Sequence, residues 1–395
     1  MSRAPEDTCM RTTTALRCTL VAAILAGAAC GGTSPVTPGD DTPGDDTPTD
    51  EWDQRLTERV LDYNAALRTA ALRLTGGLPS LAEIKAVADA GDDAAKKVVY
   101  ESLLRSYLEG PRFARQMVAF WRDTMRLGGG AMDSAPAFAA QLAVENRPYT
   151  ELLTAATGTC PTFDAAAGTF TPADCANGVP TAAGVLSNPA VMAQFSSNLA
   201  FRRVRWVQEV FACTAFPVEL TGTPPEGGAP AFLSVWPMES IAGLSNGGTI
   251  DFHDQSAVIC ANCHTTMNHL APLFANFDDN GQLQADIQVK TPQVGNPLAL
   301  RSDWLPGAEP TAWRYGVPAA DLPALGAAMA ADPDIAECAV ARLWNWALGK
   351  GDIVDALATV PPATIAAQVA DFQANGGKLK DAIFAVYTSD DFVRF

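Results

Sequence analysis

Five consecutive residues, Cys260-Ala261-Asn262-Cys263-His264, have the types and spacing to do chemistry. On a helical turn, positions i, i+3 and i+4 share one face, so Cys260, Cys263 and His264 can all meet one flat macrocycle. Two thiols at that spacing followed at once by an imidazole form the attachment pattern of a c-type haem. The thiols form thioethers with the vinyl groups, and the imidazole becomes an axial iron ligand. The residues therefore predict one haem c, bound through Cys260 and Cys263 with His264 as proximal ligand.

A second axial ligand decides what such an iron can do. The chain has 3 histidines, so only His253 and His269 remain, with Met238, Met267 and Met329 as the thioethers to consider. Met267 and His269 follow His264 too closely to reach the opposite face of the ring. His253 and Met329 are the distal candidates. With a distal ligand the iron suits electron transfer; without one it is open to small molecules, as in a peroxidase-like enzyme using His253 as acid and base. Two readings dispense with haem. Cys260 and Cys263 with two of His253, His264 and His269 would make a tetrahedral zinc set, and a bare C-x-x-C disulfide would suit a structural or scaffold lipoprotein. The His directly after the second Cys fits haem attachment more specifically than either.

The other cysteines bear on the compartment. Residues 1–29 read as an export signal: Arg11 and Arg17 precede an apolar run over 20–29 that is too short to span a bilayer. The run meets Cys30 in a pattern resembling the bacterial lipobox, with Gly27 where Leu is favoured. Cys30 is thus a candidate lipidation site, anchoring the protein to the bacterial envelope at the outer membrane or facing the periplasm. Residues 30–50, with an imperfect Thr-Pro-Gly-Asp-Asp repeat, have almost nothing to bury and read as a disordered tether. Of 9 cysteines, Cys9 and Cys18 leave with the signal. Four remain once Cys30 and the motif are set aside, and they predict disulfides Cys160 to Cys175 and, on weaker grounds, Cys213 to Cys338.

The elements that must position the motif read as mainly α, in helical bundle subdomains with a loop-rich, cytochrome-c-like segment around it. Periodic apolar residues run from 51 to about 127, with breaks at Gly76-Gly77, Pro79-Ser80, Gly91-Asp92 and Gly110-Pro111. The divisions are an N-terminal helical domain over 51–150, a disulfide loop and helix over 151–235, the motif segment over 236–320 and a C-terminal helical domain over 321–395. Within them a helix is expected from Phe195 to Phe211. Its Arg202, Arg203 and Arg205 form ion pairs or a solvated face, or else hold haem propionates. Asn276, Asp278, Asn280 and Gly281 resemble the opening of a calcium loop, but Ile287 stands at the closing Glu position and a turn is expected instead. Trp304, Trp313 and Tyr315 are expected anchors in a region of short strands or loop. The net charge of −17 argues against nucleic acid as a partner.

Four pieces resemble the planctomycete-type cytochrome-c-like families, exported proteins of uncharacterised function known mainly from planctomycetes and myxobacteria. They are residues 72–81 with Leu74-Thr75-Gly76 and Pro79; Gly184-Val185-Leu186 with 203–213; 260–281 with Phe277-Asp278; and 338–392 with Leu343-Trp344, Leu348-Gly349 and Thr388-Ser389-Asp390-Asp391-Phe392. The resemblance implies an exported protein bearing haem c, with a redox partner it does not name. Where those families read Asp-Pro-x-Gly-Phe after the motif, this chain has Asn268-His269-Leu270-Ala271-Pro272.

Overall fold

The computed structural model describes residues 51–216, 236, 258–291 and 294–395. The signal, Cys30, most of the tether, Met238 and His253 lie outside the described residues. The chain divides into two compact units, 1–57 and 58–395. The described part of the first is helix α1, Glu51–Thr57. Among the described residues are fifteen helices and two small two-stranded ribbons, so the fold is mainly α.

In the second unit the helices begin and end where side chains can satisfy their open backbone groups. The helical pattern expected without a break from 51 to 75 is interrupted because Asp62 turns its carboxylate onto the amides of Asn64 and Ala65, starting α2 (Tyr63–Thr75) afresh. Gly76, with φ of 69°, closes that helix in the left-handed region. Ser80 and Glu83 form a capping box on α3 (Leu81–Ala88). Asp92 caps α4 (Asp93–Leu108), and Pro111 opens α5 (Pro111–Met125). Helices α6 (Ser134–Val144) and α7 (Glu151–Thr154) follow.

The expected loop after residue 150 contains a short ribbon, β1 (Thr162–Asp164) against β2 (Thr169–Thr171), with the Phe163 and Phe170 rings stacked 4.8 Å apart. Cys160 and Cys175 lie at its open end with their sulfurs at disulfide distance and Cα atoms 5.1 Å apart.

The helix expected from Phe195 begins later. After α8 (Pro189–Gln194), residues Asn198, Leu199 and Ala200 all have positive φ, between 52° and 62°, and only at Phe201 does α9 (Phe201–Phe211) start. Three successive non-glycine residues in that region are strained. Trp304 Nε1, fully buried, holds the turn by donating to the Leu199 carbonyl at 3.1 Å.

Next come α10 (Val258–Phe274), the ribbon of β3 (Ala312–Arg314) and β4 (Val317–Pro318), α11 (Leu322–Ala330), α12 (Pro333–Leu348), α13 (Pro362–Ala374), α14 (Leu379–Thr388) and α15 (Asp390–Val393). Trp313 is buried as expected of an anchor, whereas Tyr315 is 61% exposed in the β3–β4 turn. The second disulfide pair joins the chain just past α9, at Cys213, to Cys338 on α12, 125 residues later, with Cα atoms 5.4 Å apart.

The N- and C-terminal helical segments do not stand as separate bodies. The apolar stripe of α2, with Ala66, Leu67, Ala70 and Leu74 wholly buried, packs on α4 and α5 and also on α12 and α15. Tyr100 Oη donates to the Tyr387 carbonyl at 2.7 Å, and Val60 and Phe395 exchange two backbone hydrogen bonds of 2.9 Å. The physical reason is that an amphipathic stripe needs cover, and helices close in sequence supply only part of it.

Gly326 of α11 shows how tightly the helices approach: a Cβ there would sit 2.0 Å from the Leu153 carbonyl oxygen of α7. Gly326→Ala is expected to lower stability by about 1–3 kcal/mol, the usual range for overpacking. Urea unfolding followed by circular dichroism checks this, and an unchanged midpoint would contradict the contact.

Candidate functional site

Helix α10 carries the motif. Cys260, Cys263 and His264 fall on one face by helical spacing, continued one turn later by Met267 and Asn268 and then by Ala271. Cys263 and His264 are half-buried. The helix packs on α9 and β3. The ring of Phe201, the first residue of α9, lies edge-on to the His264 imidazole, centroids 5.1 Å apart at 79°. The strained turn at 198–200 thus delivers Phe201 to the motif.

The far end of α10 is held by Arg203, which is fully buried. Its guanidinium donates to the carbonyls of Met192 at 2.6 and 3.0 Å, Phe274 at 2.7 Å, and Phe277 and Asp278 at 3.1 Å each. A cation at a helix C-terminus is well placed electrostatically, and here it also fills the open carbonyls. Burial pulls its pKa down to about 10, so it stays charged at neutral pH. The propionate reading does not fit Arg203, whose donors are taken up by backbone. Arg205 pairs with Glu209 at 2.7 Å and Arg202 reaches Ser197 Oγ at 3.1 Å, in keeping with the ion-pair alternative. Beyond the helix, Asp278 Oδ1 accepts from the amides of Asn280 and Gln282, forming the turn expected in place of a calcium loop.

His269 lies on the opposite face of α10 and is 1% exposed. A carbonyl only accepts, so His269 Nδ1 carries a proton and donates it to the Thr265 carbonyl at 2.5 Å. Nε2 lies 2.7 Å from Glu309 Oε1, at hydrogen-bond distance. Trp236 stacks on the imidazole at 3.6 Å and 13°, and Tyr315 meets the Trp236 ring edge-on. Both ring nitrogens of His269 are therefore used, and a zinc set drawing on it would have to break these bonds. A set without it needs His253. Among the described residues no group of three or more His, Cys, Asp or Glu is gathered as a metal site.

Met329, the other distal candidate, is wholly buried in the apolar core on α11, a helix that packs against α7 and β3. The side chain of Cys260 lies outside the described residues. The residue that the sequence reading passed over is Asn268. It is 1% exposed, and among the described residues neither of its amide atoms has a hydrogen-bond partner. Its spacing from His264 was readable in the sequence; its burial was not.

Compared with models of known protein families, with curated protein sequences and with solved structures, the chain matches none. No described helix is long and apolar enough to cross a membrane. The residues present are of the kinds a haem at the motif would use: a thiol and an imidazole, each half-buried, on one face, and on the same face a buried amide with no hydrogen-bond partner among the described residues.

Proposed function

We propose that this chain is an exported lipoprotein carrying one covalently attached haem c, acting as an electron carrier or redox component of the bacterial cell envelope. The observation that carries the reading is the shared face of Cys263, His264 and the unsatisfied Asn268 on α10, while His269 is tied down behind them. Cys260 and Cys263 would hold the haem by thioethers, and His264 would be its proximal ligand. The haem supplies reversible one-electron chemistry when bound. The chain's own part is to hold the imidazole on a helix clamped by Arg203 and to press the Phe201 edge against its ring. For the distal position the candidates are His253 and Met329, of which Met329 is packed into the core. Cys30 would carry the lipid and residues 30–50 the tether to the membrane, with a redox protein as partner. Two disulfide pairs suit an oxidising compartment.

The test is a pyridine haemochrome spectrum with intact mass, on the full chain expressed with a haem-c maturation system. The expected result is a c-type α band and a mass increase of one haem. Cys263→Ala should lose one thioether, and His264→Ala should lose or alter the proximal ligation; wild-type spectra from both variants would show that these residues do not bind the haem. Protein without haem under these conditions would return the motif to zinc or to a disulfide, which metal analysis separates.

A further inference from the structure

A cavity of about 290 Å³ lies where α5, α8 and α9 end or begin, and no described residue of α10 lines it. Helix α9 contributes Arg202, Arg205, Trp206 and Glu209, whose spacing puts them on one stripe of the helix. Trp206 stacks on Phe195, centroids 5.9 Å apart at 30°, and the two rings form an apolar wall. At one end of the stripe the Arg202 guanidinium lies over the Phe195 ring, 5.8 Å from its centroid. At the other end Glu209, buried, accepts from Arg205 Nε and from Arg126 Nη1 at 2.7 Å each. Arg126 reaches the cavity from the C-terminal cap of α5, where its φ is 54°, a left-handed position usually filled by Gly or Asn. Strain of that kind gathers at binding sites.

The charges here do not balance. Asp352, the second carboxylate of the lining, is taken up by Arg342 at 2.7 Å. Glu209 offsets one charge where Arg126 and Arg205 bring two. Among the described residues Arg202 meets no carboxylate, and its guanidinium donates only to Ser197 Oγ at 3.1 Å. One positive charge is thus left over at each end of the aromatic wall, in a chain whose net charge is −17. Guanidinium forks match carboxylates in shape and charge, and Arg126 and Arg205 each use only part of their donors on Glu209. We propose that this cavity binds a short-chain dicarboxylate. One carboxylate meets Arg202, the other meets the remaining donors of Arg126 and Arg205, and the hydrocarbon between them lies against Phe195 and Trp206. A phosphate gathers its charge at one point, so it can serve only one end and leaves the apolar wall uncovered. The site stands apart from the motif and does not depend on haem.

The experiment is equilibrium dialysis of the full-length protein against labelled glutarate at low salt, with unlabelled pentanoate and inorganic phosphate as competitors. Glutarate is expected to be retained. Pentanoate, which keeps the hydrocarbon and lacks one carboxylate, is expected to compete at least about tenfold less well than unlabelled glutarate, and phosphate likewise. Arg202→Gln and Arg126→Gln are each expected to weaken glutarate binding by about tenfold or more. Arg202 is exposed and ties no other element down by an ion pair, so its variant keeps the fold, which an unchanged circular dichroism melt checks. Glutarate that is not retained, or that the Arg202 variant retains as well as wild type, would overturn the site. Phosphate or pentanoate competing as well as glutarate would overturn the dicarboxylate reading, since a single charge would then be enough.

Discussion

Cys213→Ser or Cys338→Ser is expected to lower the stability of the compact unit by about 4–5 kcal/mol. The disulfide pair closes a loop of 125 residues, and in the chain-entropy account a loop of about 100 residues contributes about 4.7 kcal/mol by restricting the unfolded chain. The native side adds to this. Arg342, buried on α12, donates to the Glu209 and Val210 carbonyls at 2.9 and 3.4 Å, reaches the Cys213 sulfur at 3.7 Å, and pairs with Asp352 at 2.7 Å. Separating Cys213 from Cys338 loosens the ground on which that cation sits. The measurement is urea unfolding of wild type and each serine variant under non-reducing conditions. The Cys160 to Cys175 loop spans only 15 residues and contributes about 3 kcal/mol on the same account. A Cys213 variant losing no more than 1 kcal/mol would show that the two sulfurs are not joined in the protein.

Arg203→Ala is expected to cost about 3–5 kcal/mol, the range for stripping one partner from a buried charged network. The substitution leaves carbonyls of Met192, Phe274, Phe277 and Asp278 without their donor in a dry interior. These carbonyls belong to α8, to the last residue of α10 and to the turn after it, so the loss falls on the joint between the motif helix and the rest of the core. Hydrogen exchange is the sharper readout: amides of α10 should lose protection first, ahead of those in α2 and α12. Uniform loss across the unit would mean that Arg203 supports the whole core rather than this joint. Arg203→Lys should not rescue, since a point charge on a flexible stem cannot reach four carbonyls as a planar fork does.

Much of this architecture could be read from local chemistry. The breaks at Gly76, Ser80, Asp92 and Pro111 are cap and turn residues whose preferences act over three or four positions, and the helices begin and end there. Setting the other cysteines aside left four, of which Cys160 and Cys175 were read as a pair because they share one loop, with Cys213 and Cys338 as the weaker remainder. Other features depend on distant partners. Asp62 ends a helical pattern by a choice between two uses of its carboxylate, and the periodicity of the apolar residues is blind to that choice. In the left-handed run at 198–200 only Asn198 is a usual turn residue; Leu199 and Ala200 give no such sign, and the run is held by Trp304, more than a hundred positions away. His269 looked like a metal ligand beside its cysteines, but Glu309, forty residues on, takes its Nε2. The arginines of α9 looked alike in sequence, and only packing separates the buried clamp, Arg203, from exposed Arg202 and half-buried Arg205.

The two hydrogen bonds between Val60 and Phe395 set an order of events during synthesis. Residue 60 cannot settle until residue 395 has been made, and α2 waits likewise for α12 and α15. Contacts so far apart in the sequence carry a loop-closure cost that is met before they stabilise anything, which slows folding. The apolar stripe of α2 would therefore lack part of its cover until those last helices have been made.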